Sequence, residues 1–132
     1  MSESNFSREL QKLRDAEPES IGPEVSQKFR ASIDDLSRSG ITDRSIKIGD
    51  SAPDFTLDNQ SGNPVRLKDC LLQGPIVLSF YRGGWCPYCS VEMQALQSAL
   101  SQVKDLGAQI LAISPQNAEH AARMADQART DL

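Results

Sequence analysis

The chain has 132 residues, 39% of them hydrophobic and 24% charged, enough for one domain that buries a core without metals or disulfides to hold it. Its 14 Lys and Arg against 18 Asp and Glu leave a net charge of -4, so there is no overall positive field to draw in a nucleic-acid backbone or an anionic membrane. Met1 to Gly22 lacks the basic start and apolar run of a secretory signal, and no stretch approaches the roughly 18 apolar residues that span a bilayer, so a cytoplasmic protein is expected.

In chain order, Asn5 to Ala16 sets Phe6, Leu10 and Leu13 on one helical face, and Pro23 to Ser39 does the same with Val25, Phe29, Ile33 and Leu36. Pro23 suits the first turn of the second helix and Gly40 its left-handed end. Ile41 to Ala52 reads as a polar connector, which separates a helical arm at residues 1–46 from a main domain at 47–132. From Asp54 the period drops to two: Phe55 and Leu57, a turn at "NQSGN", then Val65 and Leu67 predict a β-hairpin. "IVLSFY" is strand-length and almost wholly apolar, as in a strand covered on both faces. Cys89, Met93, Leu96, Leu100 and Val103 then keep helical spacing up to a cap at Gly107. "AQILAIS" predicts a second strand of parallel type, and Asn117 caps an alanine-rich helix toward the terminus.

The chemistry concentrates in "YRGGWCPYC", Tyr81 to Cys89, between the apolar strand and the helix. A cysteine at a helix start meets unpaired N–H groups and the positive end of the dipole, which favour its thiolate. Cys89 lies one turn from Cys86, within bonding reach, and Pro87 stiffens the turn between them. Cys70, Cys86 and Cys89 are an odd number in a reducing compartment, which argues for a working thiol pair over a static framework. Structural zinc needs four ligands, and beyond the pair only Cys70 and His120 are at hand, each alone, so no metal is expected. Cys70 reads as a small buried hydrophobe and His120 as a solvated side chain. Trp85 reads as a platform beside the sulfurs, and Arg82 as a cation that either supports a thiolate or sits at the surface.

Two segments carry a resemblance. "GDSAPDFTL", Gly49 to Leu57, resembles the opening signature of the alkyl hydroperoxide reductase and thiol-specific antioxidant superfamily, and "SFYRGGWCPYCSVE" resembles its active-site segment. The resemblance covers about Lys47 to the end. It implies a partial α/β thioredoxin-like fold with an added N-terminal helical arm, and a peroxiredoxin-like thiol peroxidase without metal or organic cofactor. Hydroperoxide is the implied substrate, and a thiol such as thioredoxin or glutathione the implied electron donor. Two registers remain open. In the thioredoxin register "WCPYC" makes Cys86 the nucleophile and Cys89 the resolving thiol. In the peroxiredoxin register Phe80, Tyr81, Arg82, Cys86, Cys89 and Glu92 follow Phe-Tyr-Pro-x-x-x-Thr-x-x-Cys-x-x-Glu, and Cys89 takes the attacking place. Arg82 then stands where the family has proline and Cys86 where it has threonine. Helix position favours Cys86 as the more exposed and more acidic thiol. Other readings are a thiol-disulfide oxidoreductase using the same pair, or a redox-sensing interaction module without catalysis. Such folds continue with two more strands and a helix, so a partial domain that self-associates through its sheet edge or helix faces is expected.

Overall fold

A computed structural model of the chain describes residues 3–117 and 119–123. The chain divides into two compact units, one of Gln11–Pro53 and the other of Met1–Leu10 with Asp54–Leu132. Both sheets and the cysteines belong to the second.

Helix α1 spans Glu3–Ile21, longer than its apolar spacing predicts, because Pro18 fails to end it. The last turn is held by side chains instead. Ser20 Oγ donates to the Glu17 carbonyl at 3.0 Å, and the buried Ser26 donates to Glu17 Oε1 at 2.9 Å. Gly22 turns the chain with φ of +82°, and α2, Pro23–Arg38, starts on Pro23, whose missing N–H is one that no helix start pairs. Its stripe of Val25, Phe29, Ile33 and Leu36 forms as the spacing predicts but stays largely exposed. Gly40 stops α2 in the left-handed conformation. The expected connector then contains one short helix, α3, Ile41–Arg44.

In the second unit β1, Thr56–Asp58, and β2, Pro64–Arg66, pair antiparallel with Leu57 opposite Val65. Asn59 Oδ1 accepts from the N–H groups of Ser61 and Asn63, both at 2.9 Å, and closes the hairpin turn. Leu67 does not continue β2 as its alternation predicts. It opens a helix, α4, Leu67–Leu71, and is itself buried. The cause lies upstream: the Asp54 carboxylate accepts from Lys68 N–H at 3.2 Å and from Arg66 Nε at 2.8 Å, capping the turn into α4. These contacts hold the Asp54 carboxyl below its usual range despite the opposing effect of desolvation.

Strands β3, Ile76–Phe80, and β4, Gln109–Ile113, pair parallel from Ile76 opposite Gln109 to Phe80 opposite Ile113. Helix α5, Pro87–Asp105, makes the crossover between them, as a parallel pair requires. Leu67, Cys86, Cys89, Met93, Leu100 and Ile110 form the core around this unit. The expectation that β3 is covered on both faces is corrected. Val77 remains 45% and Phe80 71% exposed, on opposite faces, and among the described residues β3 and β4 form a two-stranded sheet. α5 reaches the Ser79 side, where the buried Ser79 hydroxyl donates to Glu92 Oε1 at 2.9 Å.

Gly74 and Gly107 bring the entry to β3 against the end of α5. A Cβ on Gly74, whose φ is +147°, falls 2.0 Å from the Gly107 carbonyl oxygen, which is backbone and does not yield. Gly74→Ala is therefore expected to destabilise the fold by roughly 2 kcal/mol or more, read as a lowered midpoint in urea unfolding. A midpoint equal to the parent's contradicts this close approach. Asn117 Oδ1 accepts from His120 N–H at 3.0 Å, starting a helical turn at residues 119–123; the rest of the expected terminal helix lies outside the described residues.

Candidate functional site: a buried dithiol under an arginine

Strand β3 ends at Phe80, and Tyr81 N–H still reaches the Ile113 carbonyl at 2.9 Å. The next residues leave the sheet, turn through Gly83 at φ of +147°, and return Cys86 N–H to the Gly83 carbonyl at 3.1 Å. Cys86 then stands as the N-cap of α5 in extended conformation, with Pro87 in the first turn and Cys89 one turn on. The local sequence dictates this: an apolar strand, two glycines that permit the turn, and a proline that opens a helix.

Arg82 serves both sulfurs. Its Nη2 donates to Cys86 Sγ at 3.1 Å, and its backbone N–H donates to Cys89 Sγ at 3.4 Å. The guanidinium also lies over the Trp85 ring, 5.0 Å from its centroid, so Trp85 is a platform for the arginine, itself 63% exposed. All three cysteines are free thiols. The expectation that Cys86 is the more exposed thiol is overturned: Cys86 is 0% exposed and Cys89 6%. A helix start presents a side chain to solvent only if nothing folds back over it, and here Arg82 lies against the sulfur.

The two thiols are driven in opposite directions. Burial pushes the Cys86 thiol up, but hydrogen bonds from the Cys89 thiol and N–H and the charge and hydrogen bond of Arg82 outweigh it, leaving Cys86 below the ordinary thiol range. Burial raises Cys89, and its bond to Cys86 and the neighbouring sulfur's charge raise it further, against the opposing hydrogen bonds from the Arg82 and Gly83 backbone. The same hydrogen bond to Cys86 raises the Arg82 guanidinium still further above its ordinary range. The arrangement thus favours ionisation at Cys86 over ionisation at Cys89.

Glu92, expected near the sulfurs, accepts from Ser79 on β3. Cys70 lies on α4, where its carbonyl accepts from Gln109 Nε2 at 3.1 Å. Among the described residues no three His, Cys, Asp or Glu side chains gather to hold a metal, and no helix is long and apolar enough to cross a membrane. One residue escaped the sequence reading. Gln116, just beyond β4, accepts from Gly84 N–H through Oε1 at 3.0 Å, and no local pattern signals that contact across 32 residues.

A strand–dithiol–helix–strand unit of this kind defines a thioredoxin-like α/β domain, and solved structures agree. The crystal structure of Peroxidoxin BcpB from Mycobacterium tuberculosis matches with a TM-score of 0.60 at 32% identity, over 63% of this chain and 54% of that one. The thioredoxin domain of a thiol-disulfide oxidoreductase from Bacteroides vulgatus matches with a TM-score of 0.57 at 25% identity, over 66% of this chain and 61% of that one. Residues 48–131 match the AhpC/TSA family, and the chain belongs to it. Peroxiredoxin Bcp of Escherichia coli is 36% identical over 83 residues, 62% of this chain and 52% of its own length. The chain spans about half the length of the curated relatives it matches.

Proposed function

We propose that the protein is a thiol peroxidase that reduces hydroperoxides, with Cys86 as the attacking thiolate and Cys89 as its resolving partner. The observation that carries this reading is one arginine donating to both sulfurs, contacts that favour the thiolate at Cys86 over Cys89, in a member of a family whose named relatives here are peroxiredoxins. The Cys86 sulfur attacks the near oxygen of the O–O bond, which breaks. Cys86 becomes a sulfenic acid, and the departing alkoxide takes a proton to leave as the alcohol, or as water from hydrogen peroxide. Arg82 beside the sulfur places positive charge where negative charge moves from sulfur to oxygen. The Cys89 sulfur then displaces the sulfenic oxygen as water, and its proton leaves with that water, giving a Cys86–Cys89 disulfide. Two thiols of an external donor, such as thioredoxin or two glutathiones, reduce the disulfide and are themselves oxidised. A cytoplasmic setting would keep that donor pool reduced.

A second reading, thiol-disulfide exchange with protein disulfides, is favoured by the likeness to the Bacteroides oxidoreductase domain. Complete burial of Cys86 supports the peroxide instead, because a two-oxygen group needs far less displacement of Arg82 than a protein disulfide does. Rapid mixing of the reduced protein with hydroperoxide, followed through Trp85, is compared with its reduction of insulin disulfides. Fast quenching or enhancement by peroxide with slow insulin reduction is expected. Rapid insulin reduction with no response to peroxide reverses the assignment.

A further inference from the structure

We infer that Gln116 is a positioning residue for the thiol site: by holding Gly84 it fixes the double-glycine turn that carries Arg82 onto both sulfurs. The inference deepens the proposed function and rests on its assignment of Cys86 as the attacking thiol. Three features converge on the turn. Gln116 Oε1 accepts from Gly84 N–H at 3.0 Å, which ties the turn to the segment that leaves β4. Gly83 is packed so closely that an added Cβ would lie 2.7 Å from Trp85 Nε1 and 3.0 Å from Gln116 Cδ, so the turn, the tryptophan and the glutamine form one contact group. Gln116 is positioned in its turn by its own N–H, which donates to Ser114 Oγ at 3.3 Å.

The consequence runs through Arg82. Its backbone N–H points at Cys89 and its guanidinium at Cys86 while it stacks on Trp85, so its placement depends on the residues on either side of Gly83 and Gly84. Two successive glycines have wide backbone freedom, and without an anchor the turn samples many conformations in which Arg82 leaves the sulfurs. Gln116 supplies the anchor from the segment that follows β4. It touches neither sulfur in the contacts described, so its effect on the thiols is indirect.

The test is the pH profile of Cys86 alkylation by iodoacetamide, a readout that needs no peroxide turnover. It uses the full chain as the parent, Gln116→Met, Arg82→Met and the double variant, all in a Cys89→Ser background. In Gln116→Met, which keeps the bulk and removes the acceptor, the profile shifts to higher pH and the alkylation rate at pH 6 falls about three- to tenfold. In the Arg82→Met background the same substitution causes no further shift. Gln116→Asn, one methylene too short to reach Gly84, gives the same upward shift and serves if the methionine variant folds poorly. An unchanged profile in Gln116→Met and Gln116→Asn overturns the inference, as does an equal shift with and without Arg82. Failure of the peroxidase reading shows separately, as absence of reaction with peroxide in the parent while the alkylation shifts persist.

Discussion

Replacing Arg82 with methionine is expected to move the ionisation of Cys86 upward, so that its alkylation at pH 6 slows about tenfold. The sign follows from the contacts. Burial alone disfavours the thiolate, and the Arg82 charge and hydrogen bond at 3.1 Å are among the groups that reverse that preference. Methionine keeps the apolar stem and removes both. Since the reactive form is the thiolate, activity that rises at low pH in the parent rises only at higher pH in the variant. Arg82→Lys is expected to fall between the two, because an ammonium retains charge but not the planar stacking on Trp85. An Arg82→Met profile that overlays the parent's removes the arginine from the account.

The second large effect separates the two cysteines. Cys86→Ser is expected to abolish the fast reaction with hydroperoxide, because serine is not ionised near neutral pH and burial pushes the remaining Cys89 thiol up. Cys89→Ser is expected to keep the first oxidation and stop at the sulfenic acid, which dimedone traps on Cys86. Single-turnover mixing with mass analysis reads both. If the rapid step survives in Cys86→Ser, the two roles are exchanged and Cys89 is the nucleophile.

Much of this unit was legible because its signals are local. "IVLSFY", the two glycines, Pro87 and the spacing of Cys89, Met93 and Leu100 each act within a few residues, and β3, α5 and β4 form where they direct. The end of the hairpin was not legible. Leu67 continues the alternation of Val65, yet Asp54, 14 residues before Lys68, caps a helix there and a contact outside the window overrides the period. Burial of Cys86 was misread for a related reason. Its place at the helix start was correct, but position on a helix says nothing of the arginine that folds back from four residues upstream. Gln116 gave no sequence signal at all, since a glutamine after a strand reads as a solvated loop residue until the glycine it holds comes into contact.

The central claim is that Cys86 and Cys89 act as one redox unit. It is tested most directly by treating the reduced protein with one equivalent of hydroperoxide, blocking residual thiols at once, and mapping the disulfide by mass spectrometry. The account predicts a Cys86–Cys89 bond formed within the chain, with Cys70 recovered as the blocked free thiol. Recovery of Cys70 bonded to either cysteine, or of Cys86 and Cys89 both blocked as free thiols after the peroxide is consumed, contradicts it.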